Sequence, residues 1–192
     1  MKYDRSTFFE AYRELFNPLS LSQKQVDGIE TLLTFIEDDP ELHDLRQIAY
    51  LLATVKHECA DTWQPITEFA SGSAYEGRMD LGNIFPGDGP RFKGRGYVQI
   101  TGRANYRKFG NRFEVDLIEN PSLALEPPIS YKIASVGMRF GLFTGKELDD
   151  YIHKDHCDYR NARRIINGLD KADKIQGYAE KFESVLRASL IS

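Results

Sequence analysis

The residues best suited to chemistry are two glutamates, Glu58 and Glu68, which lie ten positions apart with Trp63 and Pro65 between them. Glu58 ends a stretch of helical periodicity and glycine-rich sequence follows Glu68, so the two carboxyls could face each other across a groove. Acid and base catalysis on a glycosidic bond needs one carboxyl that keeps its proton and a second that is ionised. Spacing is weak evidence when it stands alone, because the chain has 29 acidic residues and a helical glutamate is usually only solvated.

A metal site is the first alternative, and the pattern does not favour it. His57 precedes Glu58, but the His-Glu-x-x-His motif of zinc hydrolases fails because position 61 is Asp61. A second cluster of side chains that could bind a metal spans six residues: His153, His156, Cys157 and Asp158. The sequence shows no second pair of ligands elsewhere that would complete a metal site with them. We therefore expect a loop with a packed histidine there, and neither a metal nor a cofactor.

The two cysteines, Cys59 and Cys157, are too few for a disulfide framework. Cys59 lies on an apolar helical stripe, where a thiol is expected to be inert and not a nucleophile. Two buried thiols are the expectation, and a single bridge is the alternative.

Length and composition favour one ordinary soluble domain over residues 1–192, with 41% hydrophobic and 28% charged residues. The net charge of −4 argues against a surface built throughout for nucleic acid or anionic membrane. The first residues lack the apolar core of a signal peptide, and no window approaches the length of a membrane span. We expect a cytoplasmic monomer that binds no nucleic acid.

One segment departs from this mildly acidic average. Residues 91–112, called the basic segment below, contain seven Lys and Arg residues and no acid. Such a run is typical either of a solvated loop or of a site for anionic substrate groups.

Helical periodicity accounts for most of the chain. Ser6 is the expected cap of a first helix, Ser22 with Gln25 forms a capping box for a second, and Asp44 with Gln47 repeats the signal for a third. The third helix places Glu58 about 120° from the centre of its apolar stripe, beside a cleft and not in the core. Further helices are predicted over 130–143, 147–152, 161–166 and 174–190, the last docking against the N-terminal helices.

The intervening part of the chain has no lasting period. Residues 70–96 read as a long, glycine-rich, ordered loop, and residues 97–100 as a short strand. The expected fold is mainly α, an α-rich α+β domain with a short β element and the long loop beside the cleft.

Three motifs carry a resemblance to a known family. Residues 50–58, 94–106 and 162–168 resemble glycoside hydrolase family 19, which contains plant-type chitinases and phage endolysins. Residues 63–66 and 81–89 look like the phage and prophage branch in particular. The resemblance implies a lysozyme-like α+β fold and an inverting mechanism, in which the carboxyls lie roughly 6.5–9.5 Å apart around a water.

The resemblance also implies residue roles. Glu58 would be the general acid and Glu68 the base, with Glu76 as the competing base. Thr101 matches the position that holds the attacking water. Side chains expected to hydrogen-bond the sugar are Gln99, Asn105, Tyr106 and Asn167. The aromatics Trp63, Tyr75 and Tyr97 could stack on sugar faces or belong to the core. Ala104 stands where plant members have a tyrosine, which speaks against a plant-like chitin subsite.

The basic segment favours peptidoglycan, which carries carboxylates, over neutral chitin. The expected function is therefore an endolysin that cleaves β-1,4 bonds between N-acetylated amino sugars. Because the sequence shows no added wall-binding module, we expect the enzyme to act on the wall from inside the host cell. A holin-like partner is expected to release it. A chitinase of the same fold, a non-catalytic glycan- or nucleic-acid-binding domain and a lytic transglycosylase are the alternatives.

Overall fold

The periodic segments fold into helices. A computed structural model of the chain describes residues 1–17 and 20–191. Its α-helices are α1 Arg5–Phe16, α2 Gln23–Glu37, α3 Leu45–Glu58, α4 Asp88–Arg91, α5 Arg103–Phe113, α6 Pro127–Arg139, α7 Tyr159–Ala162 and α8 Ala172–Ser189. The 3-10 helices are Ser73–Tyr75, Met79–Leu81, Pro121–Leu125, Leu148–Asp150 and Arg163–Ile165. The prediction of a mainly helical fold is confirmed.

The strands are six, each of two residues, and they form three antiparallel pairs among the described residues. They are β1 Lys2–Tyr3, β2 Ile66–Thr67, β3 Arg95–Gly96, β4 Ile152–His153, β5 His156–Cys157 and β6 Leu190–Ile191. Lys2 is opposite Ile191, Ile66 is opposite Gly96, and Ile152 is opposite Cys157.

The chain divides into two compact units. Unit 1 is Met1–Trp63 with Ala134–Ser192, and unit 2 is Gln64–Ile133. In unit 1, α8 packs against both α1 and α3, as the periodicity predicts. In unit 2, β2 pairs with β3, and the 3-10 turn Ser73–Tyr75 packs against α4. The single domain over 1–192 stays a prediction.

The helix caps follow the sequence signals in two of three cases. Ser22 and Gln25 form the predicted capping box, and Asp44 caps α3 by accepting from the Arg46 N–H. Gln47 does not complete a second box, because its amide donates to Asp149 Oδ1 and the Ile152 carbonyl. Ser6 is not the cap of α1: Asp4 takes that role, with its carboxylate accepting from the Thr7 N–H at 2.8 Å. A carboxylate two positions earlier competes successfully with the serine, and the Thr7 bond lowers the pKa of Asp4.

Other boundaries also move. The strand predicted over 97–100 is a turn, and the pairing strand is β3, just before it. The helix predicted over 147–152 is a 3-10 turn followed by β4, while α5 is a helix that the sequence analysis did not predict. Among the described residues, no helix is both long and apolar enough to cross a bilayer.

Both cysteines are free thiols. Cys59 is buried as expected, but Cys157 is exposed because it lies on the short β4–β5 hairpin. The histidines of that hairpin are exposed too, so the packed histidine expected there is wrong. Within residues 1–17 and 20–191, no group of three or more His, Cys, Asp and Glu side chains is placed to hold a metal ion.

Candidate active site

Glu58 is the last residue of α3, and a buried arginine fixes its side chain. Arg163 Nη1 donates to Glu58 Oε1 at 2.6 Å, and Arg163 Nε donates to the Asp170 carbonyl at 3.0 Å. The arginine side chain is 3% exposed and the glutamate side chain 17% exposed. Among the described residues, none donates to Glu58 Oε2. The carboxyl is therefore held in one orientation with one oxygen open to a ligand, at the border position that the helical pattern predicts.

Arg163 is a site residue to which the sequence analysis gave no role. It lies inside the 162–168 motif, but an arginine followed by Arg164 resembles an ordinary solvated pair. Only the folded chain distinguishes them, since Arg163 is buried and Arg164 is exposed. Burial of a guanidinium is costly without a charged partner, and Glu58 is that partner.

The segment after Glu58 is held in an unusual backbone conformation. Ala60, Asp61 and Trp63 have φ values of 50°, 61° and 59°, which are uncommon for residues other than glycine. The Lys56 ammonium stabilises this turn by donating to Asp61 Oδ1 at 2.5 Å, while the Asp61 N–H donates to the Lys56 carbonyl at 2.9 Å. The Lys56–Asp61 ion pair thus stabilises the C-terminal end of α3.

Trp63 is part of the core that surrounds Lys56. The indole is 0% exposed, with its ring centroid 6.2 Å from that of Tyr12 and 5.8 Å from that of Phe182. The Lys56 ammonium lies 5.6 Å from the Trp63 ring centroid, a cation-π contact. The expectation that Trp63 stacks on sugar is therefore wrong, and its role is to hold the turn behind Glu58.

His57, beside the proposed acid, is half-buried. Burial lowers the pKa of His57, although the neighbouring Glu58 opposes the shift. The imidazole is therefore neutral near pH 7.

Glu68 lies in unit 2, where the β2–β3 pairing continues by one residue. Its N–H donates to the Gly94 carbonyl at 2.9 Å, and its Oε2 accepts from the Gly94 N–H at 2.7 Å. A Cβ at Gly94 would lie 2.7 Å from Glu68 Oε2 and 2.9 Å from Gln99 Oε1. Glycine leaves room here for the ends of both side chains to approach the backbone closely.

Glu76, the competing base, holds a loop. Its Oε1 accepts from the Gly87 N–H at 2.7 Å and its Oε2 from the Gly89 N–H at 2.8 Å. Both carboxylate oxygens are thus engaged by the backbone at the start of α4. Glu68 accepts from one backbone N–H and also contacts the Tyr75 phenol, so its assignment as the base stays a prediction.

Gln99 lies in the turn at 97–100, and its side chain binds the strands β2 and β3. Its φ is 55°, and its Nε2 donates to the Ile66 and Gly96 carbonyls, each at 2.8 Å. Both amide hydrogens are used internally, so the hydrogen bond expected between Gln99 and a sugar stays a prediction, with Oε1 as the acceptor. The turn carries Thr101, whose hydroxyl donates to the Gln99 carbonyl at 3.1 Å and keeps its lone pairs for a water.

Tyr106 also supports the site and does not contact substrate. It is 0% exposed, donates to the Lys93 carbonyl at 2.8 Å and accepts from Arg95 Nη1 at 3.0 Å. Burial raises the pKa of Tyr106 to about 12. The expectation that it hydrogen-bonds sugar is wrong for this reason. Tyr97, at 1% exposed, is likewise core.

The remaining expected side chains are accessible. Tyr75 is half-buried, and its pKa is raised by burial and then by the charge of Glu68, which lies close to the phenol. Asn105 is half-buried, and its Nδ2 donates one hydrogen bond to the Thr101 carbonyl at 2.8 Å. Asn167, in unit 1, is exposed and accepts from the Gly168 N–H at 2.9 Å.

The basic segment is partly paired with acids, since Arg91 Nη2 lies 3.9 Å from Glu119 Oε2. Arg103 is paired with Asp88 by two bonds of 2.8 and 2.6 Å. Lys93 and Arg95 donate to uncharged backbone carbonyls, and Arg107 is exposed. Carbonyl contacts fix the side chains of Lys93 and Arg95 without neutralising their charges.

The chain is similar in sequence to plant endochitinases. No protein-family model matches the chain. An endochitinase of Solanum tuberosum is 33% identical over 102 residues, which are 46% of this chain and 30% of that protein. Endochitinase A2 of Pisum sativum is 33% identical over 99 residues, which are 46% of this chain and 31% of that protein. The chain thus spans less than a third of the length of these relatives.

Solved structures extend the likeness of fold to nearly the whole chain. A bacterial family 19 chitinase superposes with a TM-score of 0.58 at 17% identity, covering 96% of this chain and 94% of that one. A class IV family 19 chitinase from Zea mays gives 0.55 at 18% identity, with 96% and 92% covered. Chitinase C from Streptomyces griseus gives 0.55 at 17% identity, with 97% and 91% covered.

Proposed function

We propose that this chain, a chitinase-like protein with the fold of glycoside hydrolase family 19, hydrolyses β-1,4 bonds between N-acetylated amino sugars. The observation that carries the proposal is the carboxyl of Glu58, clamped through one oxygen by buried Arg163 and open at the other. A general acid must present its proton at a fixed position to the leaving oxygen. This arrangement provides such a position.

The proposed reaction is a single displacement with inversion. Glu58 gives its proton to the glycosidic oxygen as the bond to the anomeric carbon breaks. Glu68 takes a proton from a water that attacks that carbon from the opposite face, and the Thr101 hydroxyl orients the water. The two carboxyls exchange protonation states, and proton transfer through solvent restores them.

Glu58→Gln tests the acid. Glutamine keeps an oxygen for Arg163 but removes the charge that compensates the buried guanidinium, so we expect a folded variant with a lower melting temperature. We also expect a loss of turnover of about a hundredfold or more, within the range of general acid catalysis. Release of reducing ends from the glycan is the measurement. A variant with normal turnover would exclude Glu58 as the acid.

The pair Glu68→Gln and Glu76→Gln tests the base. We expect the first to abolish turnover and the second to retain it, because Glu76 is engaged through both oxygens with the α4 loop. The reverse result would assign the base to Glu76.

For the substrate we propose peptidoglycan, with an endolysin that reaches the wall through a holin-like partner. The charges of Lys93 and Arg95, whose described hydrogen bonds are to uncharged groups, support this, since peptidoglycan carries carboxylates. Chitin is the second candidate, favoured by the named relatives. Mass spectrometry of the products from purified peptidoglycan and from chitin separates them, and anhydro-sugar ends would instead indicate a lytic transglycosylase.

A further inference from the structure

Phe69, the residue after the proposed base, is an unusually exposed aromatic. Its side chain is 91% exposed, compared with 81% for Met79 and 53% for Phe85. Isolated exposed apolar residues are common on protein surfaces and need no explanation by themselves. Two further observations distinguish Phe69 from such residues.

The first is that ordered backbone contacts flank Phe69. On one side the Glu68 N–H donates to the Gly94 carbonyl at 2.9 Å, and on the other Lys93 Nζ donates to the Ala70 carbonyl at 2.9 Å. The ring is therefore presented to solvent from a fixed segment. A ligand that binds the ring gains apolar contact without the cost of ordering a loop.

The second is that the faces of the ring are free. The guanidinium of Arg103 lies 4.9 Å from the centroid of Phe85, so that exposed ring already has a partner. Among residues 1–17 and 20–191, no ring or cation is found over Phe69. An uncharged planar ligand surface can therefore approach it directly.

We propose that Phe69 is a sugar-stacking residue that binds the apolar face of a pyranose ring next to the bond attacked at Glu68. This inference rests on the proposed function. A β-1,4-linked amino sugar presents a face of C–H groups, and such a face gains hydrophobic and dispersion contact on an aromatic ring. Phe69 directly follows Glu68 in the chain, so a glycan stacked on the ring would lie within a short span of the proposed base. Phe69 thus joins the accessible Tyr75 as a candidate for stacking, in place of the buried Trp63.

Binding in the inactive Glu58→Gln background tests the inference separately from catalysis. Because a Phe ring contributes only one face, Phe69→Ala should weaken cosedimentation with insoluble chitin and with purified peptidoglycan about tenfold. Phe69→Trp should retain binding, and Phe69→Leu should lose most of it because it keeps apolar character without a planar face. Met79→Ala, which truncates another exposed apolar side chain, is the control and should bind like the parent.

The outcomes separate the two proposals. If wild type cleaves glycan but Phe69→Ala or Phe69→Leu binds like the parent, stacking on Phe69 is wrong and the proposed function stands. If wild type cleaves neither polymer, the proposed function fails, whatever Phe69 does. Equal losses on chitin and peptidoglycan support a contact with the sugar ring; a loss on peptidoglycan only would overturn it in favour of a contact with the peptide or lactyl groups.

Discussion

At the scale of single residues, Gly94 determines where the proposed base lies. A Cβ there would meet Glu68 Oε2 at 2.7 Å and Gln99 Oε1 at 2.9 Å, and both are ends of flexible side chains. Gly94→Ala should therefore leave the melting temperature nearly unchanged but displace Glu68. Because small misplacements of a catalytic group are costly, we expect a loss of kcat of about a hundredfold.

Gly177→Ala is the matched control for this prediction. The same chemical change at Gly177, in α8, brings the new Cβ within 4 Å of nothing. Steady-state rates and thermal unfolding of both variants are the measurements. Equal kcat values for Gly94→Ala and wild type would show that the position of Glu68 is not critical.

The sequence predicts which residues are special better than it predicts what each one does. Tyr106 and Trp63 occupy motif positions expected to meet substrate, yet both are buried supports. Residue type cannot separate these roles, since an aromatic ring suits a sugar face and a core equally well. The role of Glu76 is also ambiguous from the sequence. Its carboxylate accepts from the N–H groups of Gly87 and Gly89, and this contact depends on the fold of the loop that joins them to Glu76.

At the scale of elements, local signals predict the long helices and long-range contacts determine the rest. The periodicity of α2, α3 and α8, and the N-caps of α2 and α3, lie within their own segments, so they can be predicted from the sequence. The strands have two residues each, and β1 pairs with β6 across the length of the chain. Strands of two residues are too short to show an alternation of polar and apolar residues, so the sequence does not reveal them. Residues 97–100 do alternate in this way, which predicts a strand, but the structure has a turn there.

The capping box of α2 makes a quantitative prediction at this scale. Ser22 Oγ accepts from the Gln25 N–H at 3.3 Å, and Gln25 Oε1 accepts from the Ser22 N–H at 3.0 Å. Ser22→Ala should cost about 0.5–2 kcal/mol of the free energy of unfolding. Ser6→Ala, measured by the same urea titration, should cost less because Asp4 and not Ser6 caps α1. Equal losses in the two variants would contradict the assignment of these caps.

At the scale of the whole molecule, buried phenols couple stability to alkaline pH. Burial raises the pKa of Tyr3 and of Tyr106 to about 12 in the folded chain, with the charge of Glu37 adding to the effect at Tyr3. In the unfolded chain a tyrosine ionises near pH 10, in round terms. Between these values the folded state keeps protons that the unfolded state has lost, so stability decreases as pH rises, by about 1.4 kcal/mol per pH unit for each such phenol.

Tyr106→Phe isolates one of these protons. The variant loses the bonds to Lys93 and Arg95 and should be less stable than wild type at pH 8. Between pH 10 and about 12, however, its free energy of unfolding should fall less steeply, by the slope of one proton. The measurement is urea unfolding followed by circular dichroism at a series of pH values. A slope identical to that of wild type would mean that Tyr106 ionises in the folded protein as readily as in the unfolded chain, in conflict with its burial against Phe92.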